Sequence, residues 1–444
     1  MQRRYLIRTF GCQMNEHDSE RIAGVLEADG MTPVEDAEEA EVVVLNTCAV
    51  RQNADDRLYG SLGHLKSVKD RHPRTRIVVA GCLAQKDRGE IQRRAPWVDV
   101  VVGTHALPNV LELIRRAERE GPQMDVREYT ETFPSALPAK RDVGHHAWVS
   151  VSVGCDNKCT FCIVPLVRGA QRSRPLGEIL AEVQGLATQG VVEVTLLGQN
   201  VNTYGRDLTI PGSPRKPLFG ALLRAVDGVE GIERIRFTSP HPHAFTPDVV
   251  EAMAECRNVC EHIHFPLQSG SDRILKAMRR SYRSARYLDW LRRIRSTIPD
   301  VSVTTDIIVG FPGETEEDFL DTLRVVEDAG FDAAYTFQYS PRAGTEAAGY
   351  EGQVPKEVVQ ERFERLTALQ QRISLEKNVP MEGTVFEVLV EGRGRKGGAQ
   401  GRTRTNKVVN FGGEAEPGTF VDVRIERAHP HHLTGDRVFA AVPA

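Results

Sequence analysis

A repeated alternation of short apolar strands and helical stretches is the feature that most restricts how this chain can fold. Six segments rich in β-branched and other apolar residues follow one another in the middle of the sequence, each separated from the next by a helical stretch. The predicted strands are residues 147–153, 192–198, 234–239, 261–266, 302–309 and 333–339. Because parallel strands are joined by such crossovers, the pattern predicts a partial (β/α)6 TIM-like barrel, short of the eight units of the full form.

The segments on either side of this barrel follow different patterns. From residue 1 to about 110, strands such as YLIRTF and EVVVLNT alternate with helices, which predicts a small doubly wound α/β domain. A helix is predicted in HDSERIAGVLEADG, with Asp18 or Ser19 as N-cap and Gly30 as the stop. The segments TVFEVLVEG, KVVNFGG, TFVDVRIERA and RVFAAV are typical of a small β-barrel with glycine-rich turns. The fold class is therefore α/β, with predicted boundaries at 1–118, a linker at 119–141, the barrel core at 142–373 and the β-barrel at 374–444.

Composition places the chain in a broad class and names no partner. The formal charge of −4 is weak, and the sequence holds eight cysteines without an apolar run near the ~20 residues of a membrane helix. The amino-terminal segment also lacks the apolar core of a signal peptide. We therefore expect a cytoplasmic protein with no membrane segment, whose cysteines serve metal or redox chemistry instead of a disulfide framework.

The stretch GCDNKCTFC contains three cysteines in the pattern CxxxCxxC: Cys155, Cys159 and Cys162. Three thiolates can hold three irons of a [4Fe-4S] cube, which leaves the fourth iron open to a small ligand. The trio follows the first strand of the barrel series, where barrel active sites are built. A structural zinc site would need a second ligand pair, and a thioredoxin-like CxxC would leave Cys155 without a role. Cluster binding is the favoured interpretation.

Three further cysteines stand at the carboxyl ends of predicted strands, in RTFGC (Cys12), LNTC (Cys48) and VVAGC (Cys82). In an open α/β sheet these ends share one edge, where ligands bind, and neighbouring strands lie about 4.8 Å apart. The three loops could therefore converge on a second cluster. The alternative is that these cysteines are buried structural thiols, a common position for this residue.

Motifs spread over nearly the whole chain resemble those of the radical S-adenosylmethionine methylthiotransferase family. They are TFGCQMNEHDSE, LNTCAVRQNAD, GCLAQ, GCDNKCTFCIVPLVRG, VTLLGQNVNTYG, FTSPHP, HFPLQSGSD, TDIIVGFPGETEEDF, YSPRAGT and GRTRTNKVVNF. GCQMNEHDSE favours the branch that acts on tRNA. The resemblance implies transfer of a methylthio group to C2 of N6-dimethylallyl (isopentenyl) adenosine at position 37 in the tRNA anticodon loop. The alternative substrates are N6-threonylcarbamoyladenosine in tRNA and a ribosomal protein side chain.

The resemblance also implies the cofactors and the residues that bind them. Two [4Fe-4S] clusters are expected, one on Cys155, Cys159 and Cys162 and an auxiliary one on Cys12, Cys48 and Cys82. S-adenosylmethionine would be bound at strand ends, where glycines allow close approach and polar groups meet the ligand. The expected contacts are Gln199, Asn200, Gln268, Ser269, Gly270, Ser271, Gly310 and Glu314.

The carboxyl-terminal β-barrel resembles a TRAM domain, which implies contact with the tRNA. Between Glu391 and Glu414 the sequence has six basic residues and no acidic one. They are Arg393, Arg395, Lys396, Arg402, Arg404 and Lys407. A basic loop of this kind can follow phosphates, and the alternative is a solvated loop. The expected partners besides tRNA are a sulfur source and a low-potential electron donor such as flavodoxin or ferredoxin, and the expected state is a monomer.

Overall fold

The structure is a computed structural model that describes residues 2–49, 52–128, 139–140, 144–209, 215–394 and 397–439, with the backbone alone at 52–54. The chain forms two compact units. The first comprises Met1–Asp142, Trp148–Arg174 and Arg342–Ala348, and the second comprises Val143–Ala147, Pro175–Pro341 and Gly349–Ala444. Among the described residues, no helix has the length and apolar character that crossing a membrane requires.

The first unit is built on a parallel sheet, to which six strands contribute within the described residues. They are β1 (Arg4–Phe10), β2 (Thr32–Pro33), β3 (Val42–Thr47), β4 (Arg76–Gly81), β5 (Val100–Val102) and β6 (Gln123–Asp125), in the order β2–β1–β3–β4–β5–β6. The accompanying helices are α1 (Gln13–Ala28), α2 (Gln52–Arg71), α3 (Cys82–Asp87), α4 (Glu90–Arg94) and α5 (Val110–Glu120). The predicted doubly wound α/β domain is confirmed.

The central strands of this sheet are apolar on both faces because each face packs against helices. On β3, Val43 and Leu45 belong to one buried cluster, whereas Val42 and Val44 belong to the cluster on the opposite face. A strand covered on both sides has a continuous apolar run instead of an alternating one. This explains why EVVVLNT was recognisable as a strand from the sequence.

Two local predictions in this unit were wrong. Helix α1 begins after Cys12 as N-cap, so the predicted caps Asp18 and Ser19 lie inside the helix. Their side chains have tertiary partners instead: Asp18 accepts a hydrogen bond from Arg168, and Ser19 Oγ accepts one from Asn46 Nδ2 at 2.9 Å. The edge strands β2 and β6 were also not predicted, and β6 lies within the predicted linker.

A short antiparallel ribbon encloses the CxxxCxxC segment within the first unit. The chain enters along β7 (His146–Ser150), continues through β8 (Ser152–Val153) and helix α6 (Val164–Arg168), and returns along β9 (Arg172–Ser173). Strands β8 and β9 pair with each other. The single predicted strand 147–153 is therefore split into β7 and β8.

The second unit contains the rest of the barrel core. The remaining strands are β10 (Glu193–Leu197), β11 (Arg234–Phe237), β12 (His262–His264), β13 (Ser302–Val309) and β14 (Ala333–Gln338). Strand β10 pairs in parallel with β11, the sheet β12–β13–β14 is also parallel, and a parallel bridge joins Ile235 to Val259, just before β12. The helices are α7 (Leu176–Thr188), α8 (Phe219–Asp227), α9 (Pro247–Glu255), α10 (Asp272–Ala277), α11 (Ser284–Thr297), α12 (Glu316–Ala329) and α13 (Lys356–Asn378). The strand and helix order is that of the predicted partial barrel.

The predicted small β-barrel is confirmed as a closed barrel. Its strands are β15 (Val385–Arg393), β16 (Ala399–Thr403), β17 (Val408–Phe411), β18 (Phe420–Ala428) and β19 (Leu433–Arg437), in the closed order β15–β16–β17–β19–β18. Strand β16, with the sequence AQGRT, was not predicted, and the last strand ends at Arg437 where RVFAAV was expected to begin. Residues 440–444 lie outside the described part of the chain.

Two buried arginines of β11 attach this β-barrel to the core within the second unit. The guanidinium of Arg234, which is fully buried, donates to the carbonyl of Arg402 at 2.7 Å and contacts Glu387 at 3.0 Å. Arg236 donates to the carbonyls of Thr403 and Arg404, both at 2.9 Å. The two arginines therefore hold the β-barrel through backbone carbonyls of β16 and the turn that follows it.

Candidate active site

Cys12, Cys48 and Cys82 lie at the carboxyl ends of three adjacent strands. Strand β3 pairs with β1 on one side and with β4 on the other, and the last residues of all three strands are in register. Cys48 and Cys82 directly follow their strands, and Cys12 lies two residues beyond the end of β1. The sheet therefore brings the three strand-end cysteines to one edge, as the sequence predicted.

The thiols at this edge interact with one another. A hydrogen bond from Cys48 is the largest influence that lowers the pKa of Cys12, to about 6, against the opposing effect of burial. The nearby charge of Arg168 and the backbone amides of Met14 and Asn15 at the start of α1 lower it further. Thiolate is the form of cysteine that ligates metals, and helix amino termini favour it. For Cys82, burial raises the pKa, and Arg168 offsets part of that effect.

Two buried asparagines fix the backbone around these cysteines. Asn15 Nδ2 donates to Asn46 Oδ1 at 3.2 Å, and Asn46 Nδ2 donates to the carbonyl of Asn15 at 2.8 Å. The glycine before Cys82 is required by this network: Gly81 has φ +91°, and a Cβ there would lie 2.2 Å from Asn46 Oδ1. Both asparagines fall within the quoted motifs, but their roles were not predicted. No periodicity or spacing distinguishes them from ordinary polar residues.

The second cysteine trio lies on the loop between β8 and α6. Gly154, with φ +76°, starts this loop, and a Cβ there would lie 2.1 Å from the carbonyl oxygen of Ala170. The amide of Cys155 donates to the carbonyl of Gly169 at 3.1 Å, and the amide of Cys162 donates to Cys159 at 3.1 Å. The loop is therefore held at both ends, with all three cysteines in the same compact unit as Cys12, Cys48 and Cys82.

Arg168, at the end of α6, connects this loop to the strand-end cysteines and was missed by the sequence analysis. Its guanidinium forms an ion pair with Asp18 at 2.7 Å, and its positive charge acts on Cys82 and Cys12. Burial alone would lower the pKa of Arg168, but Asp18 and the thiols of Cys82 and Cys12 outweigh it and hold the pKa well above its usual value. The arginine is therefore charged and adjacent to two predicted cluster ligands.

The six predicted cluster ligands are all thiols, in two groups of three. Among the described residues, no group of three His, Cys, Asp or Glu side chains is arranged to hold one metal ion. A [4Fe-4S] cube presents a separate iron to each thiolate, so its ligands do not have to converge on one point. All eight cysteines are free of disulfides. Both trios therefore provide thiols of the kind a cluster needs.

The residues predicted to bind S-adenosylmethionine lie in the second unit, at the carboxyl ends of its strands. Asn200 follows β10 and is 4% exposed, and its Oδ1 atom is buried without a hydrogen-bond partner in the described structure. Gln199, beside it, is half-buried. A buried amide oxygen without a donor is costly, so Asn200 is poised to accept a hydrogen bond from a ligand.

The segment Gln268 to Ser271 is held by its own tertiary contacts. Gln268 has φ +70°, a strained conformation for a residue other than glycine, while its amide donates to the Asp306 carbonyl at 2.8 Å. At Gly270 a Cβ would lie 2.5 Å from the Cα of Thr322, so only glycine fits. Ser269 Oγ lies 3.4 Å from Thr322 Oγ1, and Ser271 caps α10 by accepting from the amide of Ile274.

Gly310 and Glu314, the last two predicted contacts, bond to each other. The amide of Gly310 donates to Glu314 Oε1 at 3.1 Å, and Arg362 Nη1 donates to the same oxygen at 2.7 Å. Burial raises the pKa of Glu314, although the Gly310 amide and Arg362 oppose the rise. The carboxylate of Glu314 therefore already has a cationic partner on α13.

Sequence reasoning missed a second strained residue at this edge. Ser239, two residues after β11, has φ +58° and accepts the amide of Val201 at 3.4 Å. Nearby, Asn202 and His241 exchange hydrogen bonds of 3.0 and 2.7 Å. Burial lowers the pKa of His241 to about 2, so this imidazole is neutral at physiological pH. Backbone strain clusters at functional sites, but nothing in the sequence reports a positive φ at serine or glutamine.

The predicted RNA-binding residues are placed very differently from one another. The side chain of Arg393 is 90% exposed and lies 3.5 Å from Glu414. Arg395 and Lys396 lie outside the described residues. Arg402 bonds to Glu391 at 2.8 Å, and Arg404 forms two bonds with Glu261, at 2.7 and 2.8 Å. Of the four described residues, Arg393 is thus the most accessible to a phosphate.

Lys407 is placed in the interior of the second unit. Only 9% of the residue is exposed, and its Nζ atom lies 2.8 Å from Asp332 Oδ1 and 2.8 Å from Asn378 Oδ1. Burial would raise the pKa of Asp332, but Lys407 and Lys377 outweigh it and hold the pKa below its usual value. This ammonium is fully engaged within the protein.

Three family models match the sequence. Residues 4–103 match the uncharacterized protein family UPF0004, residues 149–326 match the radical SAM superfamily, and residues 380–438 match the TRAM domain. Solved structures show the same fold at low identity. The methyltransferase TsrM from Kitasatospora setae has a TM-score of 0.56 at 14% identity, over 78% of this chain and 75% of that one. The cobalamin-dependent enzyme OxsB has 0.51 at 11%, over 82% and 56%.

Curated relatives match nearly the whole chain. A protein of Kineococcus radiotolerans is 56% identical over 98% of this chain and 88% of its own length. Proteins of Nocardia farcinica and Leifsonia xyli subsp. xyli are 57% and 58% identical over 98% of this chain, and over 89% and 82% of their own lengths. All three are named tRNA-2-methylthio-N(6)-dimethylallyladenosine synthase. This chain belongs to that family, within the radical S-adenosylmethionine superfamily.

Proposed function

We propose that this protein is a tRNA-2-methylthio-N6-dimethylallyladenosine synthase, which adds a methylthio group to C2 of N6-dimethylallyl adenosine at position 37 of the tRNA. The observation that carries the proposal is the in-register placement of Cys12, Cys48 and Cys82 at one sheet edge, in the same compact unit as the CxxxCxxC loop. Two sets of three thiols in one unit match the requirement for two separate iron-sulfur centres, one for each half of the reaction.

Membership of the radical S-adenosylmethionine superfamily implies a [4Fe-4S] cluster and S-adenosylmethionine. We assign this cluster to Cys155, Cys159 and Cys162. When bound, the cluster and its cofactor supply the one-electron chemistry that activates an unreactive C–H bond. The protein contributes the ligands and the shape of the loop, which the Gly154 turn and the bond from Cys155 to Gly169 determine.

We assign the auxiliary [4Fe-4S] cluster to Cys12, Cys48 and Cys82. Three protein ligands leave one iron available to a further ligand, and a sulfur that will be methylated and transferred suits that position. The lowered pKa of Cys12 and the nearby guanidinium of Arg168 support the assignment, because both favour thiolates at this edge. The immediate sulfur source and the electron donor, for which flavodoxin or ferredoxin is the expectation, are external to the chain.

We propose that Asn200 contacts S-adenosylmethionine, because its buried Oδ1 has no donor among the described residues. The strained backbone at Gln268 and Ser239 supports a binding site along the same strand ends. Gln199, Ser269, Gly270, Ser271, Gly310 and Glu314 remain predicted contacts. Of these, Ser271 and Glu314 already use their side chains in an N-cap and an ion pair.

For the tRNA, we propose that the TRAM barrel contributes a phosphate contact through Arg393, whose guanidinium is exposed. Arg395 and Lys396 remain predictions for the same turn. Arg402, Arg404 and Lys407 were also predicted to bind RNA, but their charges are paired within the protein, so we expect them to contribute less. We expect the enzyme to act as a monomer.

The iron content of cysteine variants tests the two assignments. Anaerobically reconstituted protein should hold about eight irons, four for each cluster. Replacing Cys12, Cys48 and Cys82 with alanine should halve this content and abolish thiomethylation, while cleavage of S-adenosylmethionine continues. The matched control replaces Cys256 and Cys260, which are buried outside both trios, and should leave the iron content unchanged. Full iron content in the first variant would contradict the auxiliary cluster.

The substrate is tested by mass spectrometry of tRNA nucleosides. A strain that lacks the gene should accumulate N6-dimethylallyl adenosine and lose its 2-methylthio derivative, and the wild-type gene should restore it. The variant with alanine at Cys12, Cys48 and Cys82 should fail to restore it, and so should a variant with alanine at Cys155, Cys159 and Cys162. Loss of a thiomethylated threonylcarbamoyladenosine, or of a modified ribosomal protein, would instead assign the enzyme to another substrate.

A further inference from the structure

The ion pair between Arg168 and Asp18 is deeply buried. The two side chains are 5% and 1% exposed, and Arg168 Nη2 lies 2.7 Å from Asp18 Oδ2. Taking both charges out of water is expensive, and such a pair is often no more stabilising than well-packed apolar side chains. Stability alone therefore explains the presence of this buried ion pair poorly. The residues around the pair suggest another role.

Both members of the pair come from segments that carry cluster cysteines. Asp18 lies on α1, which begins directly after Cys12, and Arg168 ends α6, which begins two residues after Cys162. The charge of the same guanidinium acts on the thiols of Cys82 and Cys12, and helix α3, which begins at Cys82, packs against α6. Arg168 thus connects the CxxxCxxC loop to the strand-end trio through its ion pair with Asp18 and through its charge.

The loop that carries Arg168 is fastened independently of the ion pair. Thr104 Oγ1 donates to the carbonyl of Val167 at 2.6 Å, and the side chains of Ile163 and Val167 belong to the buried core of the sheet. Helix α6 is therefore anchored within the first unit by packing and by the hydrogen bond from the Thr104 side chain. A change of charge at Arg168 can then be made without removing these anchors.

His105, another titratable side chain near Arg168, adds no positive charge to this region near neutral pH. Burial is the main cause that lowers the pKa of His105 to about 4, and the charges of Arg168 and Arg172 lower it further. His105 is therefore neutral near pH 7. The guanidinium of Arg168 and the carboxylate of Asp18 remain as opposed charges at the edge where the thiols of Cys12 and Cys82 lie.

We propose that the Arg168–Asp18 pair sets the reduction potential of the auxiliary cluster. Arg168 is a positioning residue whose positive charge favours the reduced cluster, and the negative charge of Asp18 limits this effect. The inference rests on the proposed auxiliary cluster. Reduction adds a negative charge, so a buried cation next to the ligands favours it and a buried anion opposes it. Net charge and hydrogen bonds to the sulfurs are the features by which proteins adjust such potentials.

Opposite shifts in the midpoint potential test the proposal. The experiment uses the full chain with Cys155, Cys159 and Cys162 replaced by alanine, so that only the auxiliary trio can bind a cluster, and follows reduction by electron paramagnetic resonance. Asp18→Asn should raise the midpoint potential, and Arg168→Gln should lower it. We expect each to change the reduced-to-oxidised ratio at a fixed potential by about tenfold, which is about 59 mV for a one-electron couple.

Two further variants separate charge from structure. Arg168→Lys keeps the charge and should shift the potential less than Arg168→Gln does. Arg93→Gln, which removes an exposed arginine from the same unit, should leave the potential unchanged. Circular dichroism and melting curves check that each variant is folded.

A purely structural role predicts a different outcome. If the pair only holds the loop in place, both single variants lose cluster or shift the potential in the same direction, and the proposal is overturned. If Arg168→Gln does not take up iron, Asp18→Asn decides, and a lowered or unchanged potential in that variant overturns the proposal. If the parent chain takes up no iron at all, the auxiliary cluster assignment itself is refuted, an outcome that iron analysis distinguishes from a failed shift.

Discussion

Replacement of Lys407 with methionine tests whether this residue holds the protein together or binds RNA. The sequence predicted an RNA contact, whereas the structure places its Nζ atom 2.8 Å from both Asp332 and Asn378 in the interior of the second unit. Methionine has a similar length and no charge. The substitution therefore removes the ammonium and leaves the carboxylate of Asp332 with fewer partners.

The expected cost follows from the contacts that remain. Removing one member of a buried ion pair destabilises a protein by about 3–5 kcal/mol. Asp332 keeps the ammonium of Lys377 at 3.0 Å and the amide of Val303 at 2.8 Å, so the lower end, about 3 kcal/mol, applies. For a unit of this size, the melting temperature should fall by about 6–12 °C.

Two measurements make the test decisive. Calorimetry of Lys407→Met gives the melting temperature, and the double variant Lys407→Met/Asp332→Leu should recover much of it because no buried carboxylate is left unpaired. Titrations with tRNA at several salt concentrations, below the melting temperature, give the number of phosphate contacts. The slope of log affinity against log salt should be unchanged in Lys407→Met and smaller by about 0.7 in Arg393→Ala.

The reasoning would be refuted by the reverse pattern. A Lys407→Met variant that melts within about 1 °C of the wild type and loses the salt slope of one phosphate would show that Lys407 is available to RNA. An unchanged slope in Arg393→Ala would show that Arg393, the one described basic residue that we assign to the tRNA, makes no phosphate contact.

Two other predictions concern pH and ligand binding. Lys407 and Lys377 depress the native pKa of Asp332 against the effect of burial, so the stabilisation by this carboxylate is present above its usual pKa of 3.8 and is lost as the pH falls below that value. The destabilisation by Lys407→Met, measured by urea unfolding, should therefore shrink below about pH 4. A destabilisation that stays constant down to about pH 3 would contradict this prediction. Asn200→Ala should weaken binding of S-adenosylmethionine about tenfold in equilibrium dialysis, with an unchanged melting temperature, because the buried Oδ1 has no partner in the described structure. Ser271→Ala, as the contrast, should cost about 1 kcal/mol of stability through loss of the α10 cap and should weaken binding less than Asn200→Ala does. Equal losses of affinity in the two variants would contradict the assignment of Asn200 to the ligand and of Ser271 to the cap.

The positions of the six predicted cluster ligands relative to the strands were predictable because strand ends are visible in sequence. Apolar runs such as EVVVLNT and RIVVAG mark buried strands, and parallel strands place their carboxyl ends on one edge. The closeness of Cys12 to Cys48 adds a fact that sequence could not supply, since it depends on the register of β1 against β3.

The features that sequence could not supply are those created by tertiary partners. Asp18 was read as an N-cap because acidic residues favour that position, but its partner, Arg168, is 150 residues away in the chain. Strand β16 was missed because AQGRT has little of the apolar character that identifies a strand. Lys407 was grouped with five other basic residues in a segment that could follow phosphates, and only the fold reveals Asp332 beside it.

The attachment of the β-barrel through main-chain oxygens has a consequence for how this protein can change over evolutionary time. Arg234 and Arg236 bond to the carbonyls of Arg402, Thr403 and Arg404, and every amino acid offers the same carbonyl. Mutations in that segment can therefore alter its side chains while these bonds persist. A substitution at Arg402 or Thr403 therefore leaves the accepted hydrogen bonds available, whereas a substitution of Arg234 or Arg236 removes their donors.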